Sequence, residues 1–332
     1  MKMEWGQVRA AAQAGVHSDA PQYIENLITR LELIYNRYVD DGYNIVDDVE
    51  SLADEIIHKL KQAADMFIAM VHLRTHFHHS IMRTVQNTIF SILTALRLQW
   101  GEERIHSLAC ASLTQNLSLY PLQDTMMGLR GGELSEAYRM QIRLHPKRSS
   151  KMLISMGVTD RAWIHAIAYH HERMDGSGYP HGHTAKDIPP EARLMAIADR
   201  YGSMISPRNY REAGSSKEIM RKFLVSKSKN YDMSISKALI AELGVYPPGT
   251  TVMLESGEIA LVTRRGGDHL HPVVMAIWSP QGERYSQPLK RDSRQSPHII
   301  ISMKKSEDVK WLNVDRFWGG ERAEQQPLFL SV

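Results

Sequence analysis

Apolar side chains recur at helical spacing through most of residues 21–245, and the pattern stops at Tyr246-Pro247-Pro248-Gly249. A chain written this way must bury one stripe of each helix against its neighbours, so the period dictates a helical bundle before any motif is considered. From Pro21 the set Ile24, Leu27, Ile28, Leu31, Ile34, Tyr35, Tyr38 predicts a helix that "DDG" at 40–42 ends. Val49, Leu52, Ala53, Ile56, Leu60, Ala63 and Phe67 predict a second, running towards Met70, and Ile81, Val85, Ile89, Ile92, Leu93 and Leu96 a third. Another begins at Ser135 and is expected to stop at His145-Pro146, because proline cannot continue the backbone ladder. Further helices are expected from about Asp160 to the histidine pair at 170–171, over "IPPEARLMAIADRYGSM" with proline in its first turn, and over "SKALIAEL" with Gly244 as its C-cap.

Beyond Gly249 the runs "TTVMLE", "EIALVTRR", "PVVMAIW" and "HIIISMK" are short, β-rich and separated by Gly, Asp and Ser clusters. The fold class expected is therefore mainly α, a helical bundle with N-terminal helices and a small C-terminal β-rich appendage. Three regions follow: 1–71, a loose tail of about twenty residues and two helices; 72–245, the helical domain; and 246–332, the β extension. The two N-terminal helices should either pack on the central domain or build a homodimer interface.

Several function classes are excluded at this point. A net charge of +3 over 332 residues makes no case for a nucleic-acid partner. The longest apolar runs, such as Met66–Val71, are too short for a membrane span, and "MKMEWGQVRAAAQ" lacks the apolar core of a secretion signal. The single cysteine, Cys110, rules out an internal disulfide and fits a reducing compartment. A cytoplasmic protein is the expectation.

Within the helical domain, His79, His145, His170, His171 and Asp199 each lie on or at the end of a predicted helix. Helix bundles build metal sites by converging such side chains on a shared interior. Mixed imidazole and carboxylate donors suit Fe or Mn, and Zn less selectively. Neighbouring helical residues point about 100° apart, so His170 and His171 reach one centre only at a helix end, where "ERMDGSG" indeed follows. A single buried histidine is most often a hydrogen-bonded core residue. Four histidines and an aspartate together, beside an Asp-Gly-Ser-Gly-Tyr-Pro loop, point to a metal centre.

The span from about 72 to 245 resembles the HD-GYP domain, a bacterial family of HD-superfamily phosphodiesterases that hydrolyse cyclic di-GMP to pGpG or GMP. "HHERMDGSGYPHG" is similar to the family's signature, with Gly178, Tyr179 and Pro180 as its GYP, and "LHPKRSSKML" and "IPPEARLMAIADRYGSMISPRNYREA" resemble the blocks on either side. "GVYPPGTTVMLESGEIALV" resembles the small β extension that often follows. The resemblance implies metal ligation by His79, His145, His170, His171 and Asp199, contacts to substrate phosphates from Arg208 and Arg211, and a pocket wall at Tyr179. It also implies that Gly178, Tyr179 and Pro180 form a loop that docks GGDEF-type cyclases.

The pattern departs from the family where its eponymous His-Asp pair belongs. "ASLTQNLSLYP" (111–121) puts Thr114 in place of the histidine, Gln115 in place of the aspartate and Ser118 in place of a lysine; Gly202 replaces a second aspartate, and Thr75 a glutamate of trimetal members. The bridging carboxylate fixes a nucleophile between two ions, and a neutral amide oxygen is a poor substitute for hard dications. His145, His170 and His171 remain as a three-histidine set. The expectation is one divalent ion or none, and a protein that binds cyclic di-GMP or docks a partner with hydrolysis impaired or absent; the alternative is an active metal-dependent phosphodiesterase. His72, His76 and His79 share a helix face, and Asp124 and Glu133 lie near the altered stretch, so a relocated metal site is one reading of them. A solvent or packing face is the commoner fate of such histidines.

Overall fold

The computed structural model describes residues 20–73, 79–122, 135–205, 230–304, 312–318 and 327–329. Two compact units emerge. One comprises 32–64 and 75–242, the other 1–31, 65–74 and 243–332. The division falls inside the first two helices, α1 (Ala20–Asp41) and α2 (Val46–Leu73). In α2 it lies next to Ala63, whose backbone (φ −140°, ψ 40°) leaves helical geometry. The expected tail, residues 1–20, lies outside the described residues except for the first residue of α1.

The larger unit is a helical bundle containing α3 (His79–Arg97), α4 (Glu102–Thr114), α5 (Glu136–Ser155), α6 (Arg161–Tyr169), α7 (Pro190–Ile205) and nearly all of α8 (Met233–Leu243). The apolar stripe of α3, Ile81, Val85, Ile89, Ile92 and Leu93, is buried where α3 packs on α4 and α7. Phe90 meets Tyr201 edge to face at 5.0 Å, an arrangement that adds to simple area burial. α6 packs on α4, α5 and α7, with Trp163 buried in its first turn. Helix ends follow local chemistry. Asp160 caps α6 by accepting the N–H groups of Ala162 and Trp163 at 2.8 and 3.2 Å, and Ser135 caps α5 through Tyr138. α7 opens at Pro190, and Gly244 (φ +78°) follows α8.

One expectation fails here: α5 does not stop at His145-Pro146 but runs through it to Ser155. Proline removes one donor from a helix, and the carbonyl left without that donor, Ile142, is taken by a side chain described below.

The smaller unit holds a five-stranded antiparallel sheet in the order β4-β3-β2-β1-β5. Its strands are β1 (Thr251–Leu254), β2 (Ile259–Arg264), β3 (Val273–Trp278), β4 (Arg284–Asp292) and β5 (Ile300–Met303). Alternation divides the strands between two cores. Val252, Leu254, Ala260, Val262, Val274 and Ala276 form one. Leu261 and Ile277 point the other way, towards Leu312, Leu328 and the half-buried Phe317 and Trp318. The sequence predicts four of these strands. The fifth, β4, reads "RYSQPLKRD" and is mostly exposed, as befits an edge strand guarded by charge and proline. Among the described residues, no helix is long and apolar enough to cross a membrane.

Candidate metal centre

Three histidines meet at the junction of α5 and α6. His145 lies on α5 immediately before Pro146. Because Pro146 has no N–H to give the Ile142 carbonyl, that carbonyl is free to accept the His145 Nδ1–H, at 2.6 Å. His170 ends α6, and its Nδ1 bonds the Ile167 carbonyl at 2.7 Å. His171 follows it beyond the helix, as the need for two adjacent residues to face one centre requires. A carbonyl can only accept, so both Nδ1 atoms carry the proton and both Nε2 atoms present a lone pair.

Those two Nε2 atoms face each other at 3.2 Å, and His145 and His170 are both about 1% exposed. The ligand atoms of His145, His170 and His171 all lie within 4.8 Å of one another. Burial drives all three imidazoles towards the neutral form. The His145 pKa falls to about 3 through desolvation and the nearby His170. That of His170 is lowered by desolvation. That of His171 lies well below the usual range through desolvation, the other two rings and the charges of Arg83 and Arg173. Opposed lone pairs on buried neutral rings repel unless a cation lies between them. Two nitrogens bound to one ion at about 2.0–2.1 Å sit roughly 3.0–3.4 Å apart, so the 3.2 Å separation suits a shared metal. The residues present fit one ion.

The remaining predicted site residues are placed as follows. Tyr179 stacks on His171 with ring centroids 4.7 Å apart and an interplanar angle of 25°. Its hydroxyl pKa is raised, by burial first and then by Asp199, against the lowering influence of Arg173, Arg83 and Arg143. Pro180 follows through a cis peptide bond. Gly178 presses on the chain before it: a Cβ there would lie 2.3 Å from Arg173 N and 2.5 Å from Glu172 Cα. Only glycine permits that approach. His79 opens α3, but its side chain, together with Thr75, His76, Asp124, Glu133, Arg208 and Arg211, lies outside the described residues. His72 is spent on the Ile68 carbonyl at 2.7 Å, and burial lowers its pKa to about 4.

Asp199 does not join the three-histidine group. Its carboxylate accepts Arg83 Nε at 3.1 Å, Arg83 Nη2 at 2.9 and 3.0 Å, and Asn87 Nδ2 at 2.8 Å. Burial alone would raise its pKa; the guanidinium and the amide overcome that and hold it below the usual carboxylate value. Arg83 and Asn87 were not predicted, although their spacing holds a signal: they lie four and eight residues after His79, on one face of α3.

The substituted pair is built into the bundle. Thr114, fully buried, donates its hydroxyl to the Cys110 carbonyl at 2.6 Å and accepts the Trp163 indole N–H at 2.9 Å. Gln115 caps the end of α4, 1% exposed, and its Nε2 has no hydrogen-bond partner among the described residues. Ser118 donates to the His145 carbonyl at 3.2 Å and accepts from Ser149 at 3.0 Å, tying the turn at Leu117–Leu119 to α5.

Glu172 was another unpredicted contributor. Its buried carboxylate accepts the backbone N–H groups of His181, Gly182 and His183 at 2.7, 3.0 and 3.0 Å, closing the loop that presents Tyr179.

Comparison with known proteins places the chain in a family. The HD domain family matches residues 65–235. Over 272 residues the chain is 25% identical to the cyclic di-GMP phosphodiesterase PA4108 of Pseudomonas aeruginosa, covering 81% of this chain and 65% of that one. It is 28% identical over 152 residues to the cyclic di-GMP phosphodiesterase response regulator RpfG of Xanthomonas campestris pv. campestris, covering 45% of this chain and 39% of that one. The chain thus spans less than two thirds of the length of either relative. Among solved structures it is similar to Bd1817, a HDG"Y"P protein from Bdellovibrio bacteriovorus, with a TM-score of 0.54 and 15% identity over 68% of this chain and 72% of that one. At that identity the likeness is one of fold.

Proposed function

The chain belongs to the HD domain family, in its HD-GYP branch, and from that premise we propose that it serves cyclic di-GMP signalling by binding, with hydrolysis impaired or absent. One observation carries the reading: the Asp199 carboxylate, which the family resemblance assigns to a metal, is already engaged by Arg83 and Asn87. Thr114 has no nitrogen to offer in compensation, and its hydroxyl is hydrogen-bonded within the bundle. The three-histidine cluster would hold a single divalent ion, Fe or Mn by the family resemblance. Such an ion would supply Lewis-acid charge to a phosphate oxygen. The protein's own share is to hold a dinucleotide against Tyr179 and within the positive field of Arg83, Arg143 and Arg173. The Gly178-Tyr179-Pro180 face, held by Glu172, would alternatively dock a GGDEF-type cyclase. Cytoplasmic placement and a homodimer belong to the same reading.

A second reading, an active phosphodiesterase, is favoured by the ion-ready histidines and by the relatives' names. The two separate in one experiment. Protein purified without oxygen is assayed for metal per chain, for cyclic di-GMP binding by calorimetry, and for pGpG or GMP after incubation with Fe(II) or Mn(II). Binding with at most one ion and no product is the expected result. Two ions and linear product would establish the second reading instead.

A further inference from the structure

Asp199 is surrounded by three features that interlock. Arg83 and Asn87 lie four residues apart on α3 and both bond its carboxylate. On α7, Gly202 makes room for Asn87: a Cβ there would come within 2.8 Å of Asn87 Oδ1, the amide whose Nδ2 holds Asp199. The guanidinium is fixed through Nε and Nη2, and Nη2 also reaches the Asp199 backbone carbonyl at 3.4 Å. Among the described residues Nη1 makes no hydrogen bond, and about a quarter of the side chain is exposed. Arg83 is also felt electrostatically by both His171 and Tyr179, so its charge lies beside the cluster.

We propose that Arg83 is a covalently tethered cation that replaces an ion at Asp199 and presents its Nη1 edge to a phosphate of the bound ligand. The paired charges of Arg83 and Asp199 sum to zero, which leaves no net attraction for a dication. A guanidinium stays protonated at any physiological pH and recognises phosphate oxygens through paired N–H groups. It cannot ligate water, so it neutralises charge without generating a nucleophile. This inference rests on the dinucleotide-binding reading above, and it assigns Asp199 to a positioning role, orienting Arg83.

The test uses the full chain and two probes, Mn2+ alone and cyclic di-GMP with Mn2+. Asp199→Asn is expected to retain as much Mn2+ as the unaltered protein, whereas His170→Ala loses it. Arg83→Met should weaken dinucleotide binding at least tenfold, and Arg83→Lys should recover part of that loss. Asp199→Asn should not weaken it comparably, because the guanidinium survives. Should Arg83→Met fail to fold, the neutral pair Arg83→Met with Asp199→Asn carries the same comparison. Loss of Mn2+ in Asp199→Asn would make Asp199 a ligand and overturn the proposal. So would wild-type dinucleotide affinity in Arg83→Met. If the unaltered protein binds no cyclic di-GMP, the phosphate half of the proposal falls with the binding reading, while Mn2+ retention in Asp199→Asn still decides whether Arg83 replaces an ion.

Discussion

Two corners of one helical unit treat their polar groups in opposite ways. At the histidine corner, backbone carbonyls tie down each Nδ1 of His145 and His170 and leave opposed Nε2 lone pairs 3.2 Å apart without a protein donor between them. At the aspartate corner, a carboxylate that could attract an ion is neutralised by Arg83 and hydrogen-bonded by Asn87. On the reading proposed above, the first stays receptive to a cation and the second supplies its own, so that a protein ion pair stands in one half of a site that resembles a polymetal centre while the other half keeps its donors.

The largest expected effect tests the receptive corner. His170→Ala or His145→Ala should abolish bound metal. With metal at about a hundred times its dissociation constant, binding stabilises the unaltered protein by about 2.7 kcal/mol, so the variants should melt lower in metal and should not show that difference in chelator. A melting difference of the same size in chelator would mean that the histidines act as packing groups. Next comes the loop that carries Tyr179 over His171. Gly178→Ala places a Cβ 2.3 Å from backbone, which cannot move as a side chain tip can. The Tyr179–His171 stack should be lost at a cost of about 1–3 kcal/mol, read as altered tyrosine fluorescence and lowered dinucleotide affinity. An unchanged spectrum would show that the loop is not held by that approach.

At the neutralised corner, Gly202→Ala should push Asn87 off Asp199 and cost about 1–2 kcal/mol in thermal or urea unfolding, with bound Mn2+ unchanged. A parallel loss of metal would erase the distinction between the two corners. A separate test is acid. The buried histidines keep depressed pKa values, about 3 for His145 and about 4 for His72. Unfolded histidine protonates near pH 6.5 while the folded rings do not, so metal-free protein should be most stable above about pH 6.5 and lose stability as pH falls towards 3–4. Protons also compete for the same nitrogens, so bound metal should be released over this range. Stability flat from pH 7 to 4 would show that these rings are not buried neutral.

The difference between the corners was partly legible beforehand. His145, His170 and His171 stood out because histidine beside a Gly-Tyr-Pro loop is uncommon chemistry at spaced positions. Arg83 and Asn87 did not, because a surface-type arginine and an asparagine on an amphipathic helix look ordinary until the helix opposite is known. The four apolar strands were legible from their β-branched runs, but β4, "RYSQPLKRD", was not: an edge strand gains its pairing from β3 and needs no apolar pattern of its own. Pro146 misled the helix boundary for a related reason. Its cost is one unpaired carbonyl, and the neighbouring His145 side chain satisfies that carbonyl.

By itself the sequence determined the helical class, the change to β structure after Gly249 and the residue types able to hold a metal, since these follow from period, turn chemistry and donor identity along the chain. Only the tertiary structure decided which donors remain available. Whether Asp199 faces an ion or a guanidinium depends on α3 and α7 bringing residues 83, 87, 199 and 202 together, and charges separated by more than a hundred positions in sequence interact only once the bundle has packed.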